Sequence, residues 1–494
     1  MKELVFNDDV IRSIFGHEAA EDDDVERLKK YYFKNAAYER LQSSNPLRIL
    51  IGHKGIGKSA LLTVAAQEDV AANKLSIFLR PDDISTIHFD SKDLLSLIRE
   101  WKEGLLKIIR EKVAEYFAVR DILPHETGST WSSILGDFAG TISDWISQKK
   151  INLDRTKKAV LSSFCRDNVI RIYVDDLDRG WTASAQNVLS MSAMLNAMRD
   201  VARDYKNVRF IVSLRSDVFY LVRTSDESTD KLESACIWFS WTNHEILAML
   251  IKRIKTYFGK ECPSDQTLIA QHQSVLASDL KFVMSDRFNG RGEWENIPTY
   301  RMLMTLIRRR PRDLVKLCTL AARHAFEVSH ELIQPEDFDA IFSRYSQDRL
   351  QDTINEYRSE LPQIQELLEN MKPSKKSRME RQAKRTGGAF SFSTAEMLTK
   401  LKNIGMSHPF RFYGKATNAT ERELLNFLYK IGFVTARKCL SSGKILRHYF
   451  EEQNYVSSVF ADYGYDWEVH PAFRWALAPS DSEILAQIEP LDEG

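Results

Sequence analysis

Through the first half of the chain, short apolar runs alternate with longer stretches of helical period. "LRILIG" (47–52), "LSIFLRP" (75–81), "NVIRIYVDDLD" (168–178) and "NVRFIVSLRSD" (207–217) each read as a buried strand, and "ACIWFSW" (235–241) as a fifth. Helices are expected from Gly57 to about Gln67 and over about 183–203, and residues 23–42 read as one amphipathic helix. A helical insertion occupies about 82–165, with 94–117 and 129–148 as its clearest pieces. Strands alternating with helices predict an α/β fold: a parallel sheet with helices on both faces. From 243 to 371 nearly everything has helical period. Residues 372–388, "KPSKKSRMERQAKRTGG", are basic and poor in apolar side chains, which reads as a linker. Beyond them, "ERELLNFLYKIGFVT" reads as a helix leading into a strand and "DYGYDWEVHPAF" as the strand of a wing, so a winged-helix-like domain is expected. The division is 1–242 for the α/β core, 243–371 for a helical lid, 372–392 for the linker and 393–494 for the C-terminal domain.

Bulk composition narrows the function classes. The 494 residues exceed one hydrophobic core and suit two to four domains. Lys plus Arg equals Asp plus Glu, 69 each, so any nucleic-acid surface must be a local patch. No apolar run reaches the length of a membrane span, and the N-terminus lacks the apolar core of a signal peptide. The five cysteines and eleven histidines are scattered, without CxxC or HExxH, which argues against a zinc site or disulfide framework and fits a reducing cytoplasm. The nine tryptophans, at 101, 131, 145, 181, 238, 241, 291, 467 and 475, read as packing residues, and His470 as a structural histidine.

The chemistry concentrates in "GHKGIGKSA", Gly52 to Ala60. Gly52, Gly57, Lys58 and Ser59 satisfy GxxxxGK[ST] between a strand and a helix, the context a phosphate loop requires. Glycines let successive N–H groups turn toward phosphate oxygens, and the following helix adds its positive end. His53, Lys54, Gly55, Ile56, Gly57 and Ala60 complete the cradle. Lys58 would reach the β- and γ-phosphates and Ser59 would bind Mg²⁺. A second apolar strand ends in paired acids, so Asp175 is a candidate for the Mg²⁺ shell and Asp176 for activating the attacking water. Arg215 stands at the end of the fourth strand, on the edge that faces the same crevice. Arg312 follows Pro311 at the start of a helix and can point toward nucleotide. Arg308, Arg309 and Arg310 read as a basic surface or an intersubunit contact.

Together, "GHKGIGKS", "IYVDDLDR", "FIVSLRSDVF" and "RRRPRDL", followed by a winged-helix-like end, resemble P-loop ATPases of the STAND and KAP kind within the AAA+-related group. Weaker signatures are "FGHEAAEDD" (15–23) and "HPAFRWAL" (470–477). The resemblance implies a P-loop NTPase sheet, a helical lid, ATP and Mg²⁺. Lys58 and Ser59 resemble the Walker A pair and Asp175 and Asp176 the Walker B acids. Arg215 resembles a sensor arginine and Arg312 a lid arginine. Asp178 and Arg179 resemble the KAP extension near the nucleotide or a subunit boundary, and residues 15–23 would lie near the adenine. An Asp at 176, where many motors carry Glu, fits a slow switch. No NKxD guanine signature follows, and ATP is implied by the resemblance alone.

Three functions compete at this level. The first is an ATP-hydrolysing, homo-oligomeric regulatory switch of a bacterial antiphage defence system that gates a separate effector protein. The second is a DNA-binding AAA+-like initiator or loader that uses the basic linker and the C-terminal domain. The third is a non-catalytic scaffold stabilised by nucleotide.

Overall fold

The computed structural model describes residues 4–18, 23–72, 74–122, 169–225, 232–290, 292–373, 388–439, 445–450, 465–479 and 484–491. The expected helix at 129–148 and most of the basic stretch lie outside these residues.

The N-terminal half contains α1 (Asp8–Phe15), α2 (Val25–Tyr31), α3 (Ala36–Leu41), β1 (Leu47–Gly52), α4 (Lys58–Ala71), β2 (Leu75–Leu79), α5 (Pro81–Ser85), α6 (Leu94–Ile122), β3 (Ile170–Val174), α7 (Ala185–Asp204), β4 (Val208–Arg215), α8 (Ser216–Ser225) and β5 (Cys236–Trp238). The five strands form one parallel sheet in the order β2-β3-β4-β1-β5. Both faces are covered, as their mainly apolar character demands. Ile49, Ile51, Ile172 and Phe210 pack against α6, α7 and α8, while Leu50, Tyr173 and Ile211 pack against α4 and the N-terminal helices.

One expected helix is two. Between α2 and α3, residues 32–35 leave helical geometry, with Tyr32 at φ −62°, ψ 129°. The Asn35 carboxamide accepts from the N–H groups of Ala37 and Tyr38 at 3.2 and 3.4 Å, capping α3. The intervening backbone is held by distant groups: Lys252 donates to the Tyr32 carbonyl at 2.6 Å and the Lys34 N–H donates to Asp265 at 3.0 Å. Those partners outweigh the helical periodicity of the segment.

The second half contains α9 (Asn243–Tyr257), α10 (Asp265–Ala270), α11 (Gln273–Leu276), the β6 (Arg287–Phe288) and β7 (Ile297–Pro298) pair, α12 (Thr299–Leu306), α13 (Pro311–Glu327), α14 (Pro335–Tyr357) and α15 (Ile364–Glu369). It ends with β8 (Ser391–Phe392), α16 (Thr394–Ser407), α17 (Glu421–Lys430), β9 (Val434–Cys439), β10 (Ile445–His448), β11 (Asp466–Val469) and α18 (Arg474–Leu477). Capping boxes start α16 at Ser393/Glu396 and α17 at Thr420/Glu423.

The C-terminal strands form an antiparallel sheet in the order β10-β9-β11-β8. The helices precede the β9–β10 hairpin, but the segment expected to be a wing supplies β11, an interior strand. Trp467 and Val469 are buried in it, and Glu468 sits between Arg447 and Arg474. Residues 389–392 are buried and begin this unit, rather than ending a linker at 392. Lid and C-terminal unit share one core: the Ala476 N–H donates to Ser346 at 2.9 Å and the Trp294 indole to the Ile488 carbonyl at 2.7 Å.

His470 lies at the centre of this core. Its Nδ1 accepts the Ala472 N–H at 3.1 Å, which leaves the proton on Nε2, 3.5 Å from the Tyr449 hydroxyl. Burial, reinforced by Arg308 and Arg447 against the opposing Glu468 and Asp313, pushes its pKa down to about 3. The folded value lies below the free one, so the unfolded chain takes up this proton first as pH falls. Stability is therefore lost between about pH 6.5 and 3. From pH 7 to 5.5 the wild type should lose about 1 kcal/mol more than His470→Asn, measured from urea midpoints. Asp339, raised by burial to about 6, acts with the opposite sign in both proteins and cancels in the difference. Equal pH slopes in the two proteins would refute the assignment.

Candidate nucleotide-binding site

The phosphate loop grows directly out of β1. Gly55 and Gly57 take φ of 76° and 98°, a region closed to most side chains, and Gly57 then serves as the N-cap of α4. A Cβ on Gly55 would stand 2.9 Å from Arg312 Cδ, and one on Gly52 would stand 3.1 Å from the Phe239 carbonyl. The loop is thus closely backed from two sides. Lys58 Nζ donates to the Gly52 and His53 carbonyls at 2.8 and 3.1 Å, and Ser59 follows in the first turn of the helix. Burial lowers the Lys58 pKa, with the charges of Asp178, Asp175 and Glu356 opposing.

Not every loop side chain faces a ligand. His53 is buried, with Nδ1 2.9 Å from the Tyr357 hydroxyl and 3.2 Å from Ser216 Oγ, so its ring anchors the loop and only its backbone belongs to the cradle. Ile56 is buried, its carbonyl accepting the Trp241 indole N–H at 2.8 Å, and Ala60 packs into the core. Lys54 is exposed.

The acids lie across one strand from this loop. β4 separates β1 from β3, and Gly52 is in register with Arg215. Asp175 is buried just past β3 and accepts from Ser213 Oγ. Asp176 is exposed and left-handed at φ 58°, a backbone state that Asp tolerates better than most residues. Arg215 is held from three directions. It pairs with Asp217 at 2.7 Å and Asp178 at 3.2 Å, and it donates to the Glu356 carbonyl at 2.9 Å. Burial alone would lower its pKa, but Asp217, Glu356 and Asp178 outweigh that and raise it, so it stays charged.

The lid closes on this edge. The Arg312 N–H donates to the Gly55 carbonyl at 3.3 Å, which puts the start of α13 on the loop. Arg308 and Arg310 correct the expectation of a basic surface, for both are buried. Arg308 pairs with Asp313 at 2.8 Å, and Arg310 lies 3.5 Å from Glu356. Their counter-charges make this burial tolerable. Arg309 is half-buried, its guanidinium 4.3 Å from the centre of the Tyr449 ring.

Glu356, in the last turn of α14, carries no sequence motif and was missed. Its carboxylate accepts the Lys54 N–H at 3.2 Å. Burial would raise its pKa, but Arg310, Arg215 and His53 outweigh burial and bring it down to about 2, so it is ionised. A negative charge on a phosphate-loop amide repels incoming phosphate. Glu356→Gln keeps an acceptor and removes the charge, so it should tighten ATP binding about threefold to tenfold in a fluorescent-nucleotide titration. Weaker binding would mean that the ion pair with Arg310 matters more than the repulsion.

The segment proposed to lie near the adenine is described only in part: residues 19–22 fall outside. Arg253 donates to the Phe15 carbonyl, and Asp23 pairs with Arg27.

The strand order, the loop torsions and the acids at the end of β3 decide the fold. The chain has the P-loop NTPase fold.

Residues 244–354 match the family described as the FunZ-associated C-terminal helical domain (FunZ_C), which covers the lid from α9 almost to the end of α14. A putative transposon gamma-delta 80.3 kDa protein of Escherichia coli (strain K12) is 23% identical over 384 residues, 71% of this chain and 52% of that protein. The chain thus spans about half the length of the curated relative it matches. Among solved structures, the Aeropyrum pernix ORC2 protein in its ADPNP–ADP complexes is 11% identical, over 94% of this chain and 93% of that one, with a TM-score of 0.38. The Aeropyrum pernix ORC1 protein in complex with DNA is 13% identical, over 98% and 97%, with a TM-score of 0.32. The Thermotoga maritima RuvB Holliday junction branch migration motor is 12% identical, over 68% and 76%, with a TM-score of 0.29. No described helix is long and apolar enough to cross a membrane.

Proposed function

We propose that the protein is an ATP-driven regulatory switch that binds ATP on residues 52–60, hydrolyses it slowly and passes the nucleotide state to its lid. The observation that carries this reading is the double attachment of Glu356. Its carboxylate holds the Lys54 N–H of the phosphate loop, while its carbonyl holds Arg215 beside the acids. Phosphate arriving at the loop would compete with that carboxylate and shift the end of α14. Lys58 and the loop amides would bind the phosphates, and Arg215 would respond to the γ-phosphate. Ser59 and Asp175 are the residues that would hold Mg²⁺, which supplies neutralising charge between phosphate oxygens. Asp176 would take the proton of the attacking water.

In this reading the switch works as a homo-oligomer and gates a separate effector chain, in the antiphage setting that its STAND and KAP-like motifs suggest. Light scattering after size exclusion tests it, on wild type and Asp176→Asn, each with and without ATP–Mg²⁺. The expected result is ATP-dependent assembly that persists in Asp176→Asn and relaxes in wild type. One unchanged species in all four samples would favour the nucleotide-stabilised scaffold instead.

A second reading is a DNA-binding ATPase of initiator or loader type. Two helices followed by an antiparallel hairpin in the C-terminal unit favour it, as does the similarity to a putative transposon protein of Escherichia coli. It requires binding to a labelled duplex that weakens steeply with salt and is lost when residues 372–388 are removed.

A further inference from the structure

Two of the tryptophans read as packing residues, Trp101 and Trp181, line a cavity of about 400 Å³ at the carboxyl ends of β2 and β3. Phe89 and Trp101 form one aromatic wall, their ring centres 4.6 Å apart at 46°. Met191 and Met194 of α7 also line it. The volume is within the range of small-ligand sites.

One polar feature asks for a particular guest. Trp101 is 5% exposed and its indole N–H is enclosed by protein, so the aromatic surface of that wall comes mainly from Phe89, which is 38% exposed. Arg179, also on the lining, is exposed and has no carboxylate partner among the described residues. An aromatic wall beside this guanidinium fits a planar heterocycle that carries a phosphate.

The cavity is separate from the phosphate loop. β4 lies between β1, which carries the loop, and the β2–β3 pair that carries the cavity. At ordinary strand spacing, β3 and β1 are roughly 10 Å apart. One turn serves both places. Asp178 pairs with Arg215 on the loop side, while Leu177, Arg179, Gly180 and Trp181 line the cavity. The turn is braced by backbone bonds from the Arg179 N–H to the Asp176 carbonyl at 3.1 Å and from the Trp181 N–H to the Asp178 carbonyl at 3.0 Å.

We infer that this cavity is a second nucleotide site, which takes one base-plus-phosphate unit between its aromatic wall and Arg179, and that its occupancy is read by the Asp176–Trp181 turn. The second clause rests on the proposed role of Asp176; the binding site itself does not. A free mononucleotide and a residue of a single strand offer the same chemistry.

The test uses full-length Lys58→Ala protein, whose loop site is weakened by at least about a hundredfold. Adenosine and guanosine monophosphates and a twelve-residue oligothymidylate are titrated by calorimetry. Saturable binding is expected, weakened about fivefold to tenfold by Phe89→Ala and by Arg179→Gln, both at exposed positions. Binding of a monophosphate identifies a free nucleotide as the source, and binding of the oligonucleotide alone identifies a strand; either supports the site. No binding of any probe at millimolar concentration, or affinity that both variants leave unchanged, overturns it. Binding of an uncharged apolar dye with no nucleotide binding also overturns it. Normal hydrolysis by Asp176→Asn would remove the reading of occupancy by the turn and leave these binding results standing.

Discussion

Asp176→Asn lowers steady-state ATP hydrolysis by about two to three orders of magnitude, while ATP affinity stays within about threefold. A positioned general base typically contributes on the order of 10² to 10⁴ in rate. Asp176 has the placement for it: exposed, one residue past the buried Asp175. Its φ of 58° matters to the choice of variant. Asn is the other side chain that tolerates the left-handed region well, so the turn should survive and the loss can be read as chemistry. Single-turnover hydrolysis beside a nucleotide titration separates rate from binding. Undiminished hydrolysis would move the role to another group, and Asp178→Asn would then be examined with its Arg215 partner in mind.

Lys58→Ala reduces ATP affinity by at least about a hundredfold. Two charge-assisted contacts to phosphate oxygens, at roughly 1.5 kcal/mol or more each, make about 3 kcal/mol, which is two decades in Kd. The ammonium is available for that task, because its described contacts are the loop carbonyls of Gly52 and His53 and no carboxylate among the described residues pairs with it. Desolvation already lowers its pKa in the protein without nucleotide. Truncation therefore removes a cation that burial penalises, and the nucleotide-free protein should melt at the same temperature as wild type or higher. The part of the ATP-induced upward shift that comes from the loop should vanish in the variant, leaving at most the smaller shift of the second site. Thermal midpoints with and without ATP–Mg²⁺ check both statements. A shift as large in Lys58→Ala as in wild type would mean that the loop amides suffice.

The unanticipated partners of this site have a common origin. Glu356 reaches Lys54 across 302 residues, and Tyr357 reaches His53 across 304. "NEYR" around them has no motif spacing, because their role is defined by where the end of α14 lands. Arg308 and Arg310 were misjudged for the same reason. Three arginines in a row look like a solvated surface until Asp313 and Glu356 are found beside them. Asp217 stood in plain view within "LRSD", yet nothing in that tetrapeptide says that it clamps Arg215. Residues 32–35 teach a related lesson, since a convincing helical period was broken by a hydrogen bond from Lys252 to the Tyr32 carbonyl and one from the Lys34 N–H to Asp265.

What the sequence by itself determined is the set of features made by neighbours in the chain. β1 ends at Gly52 and α4 starts at Lys58, and both were legible because a phosphate loop is formed by consecutive residues whose glycines permit its torsions. The first four strands were legible because each is a short, mainly apolar run; β1, β3 and β4 are largely buried on both faces, and the edge strand β2 alternates buried with half-buried positions. Only the tertiary structure decided which side chains surround that loop, which arginines are buried, that β11 is interior and that a cavity opens behind the acidic turn. Those outcomes depend on charges and surfaces that meet only after the chain has folded, and a linear pattern holds no record of which distant groups will be there to neutralise, cap or cover them.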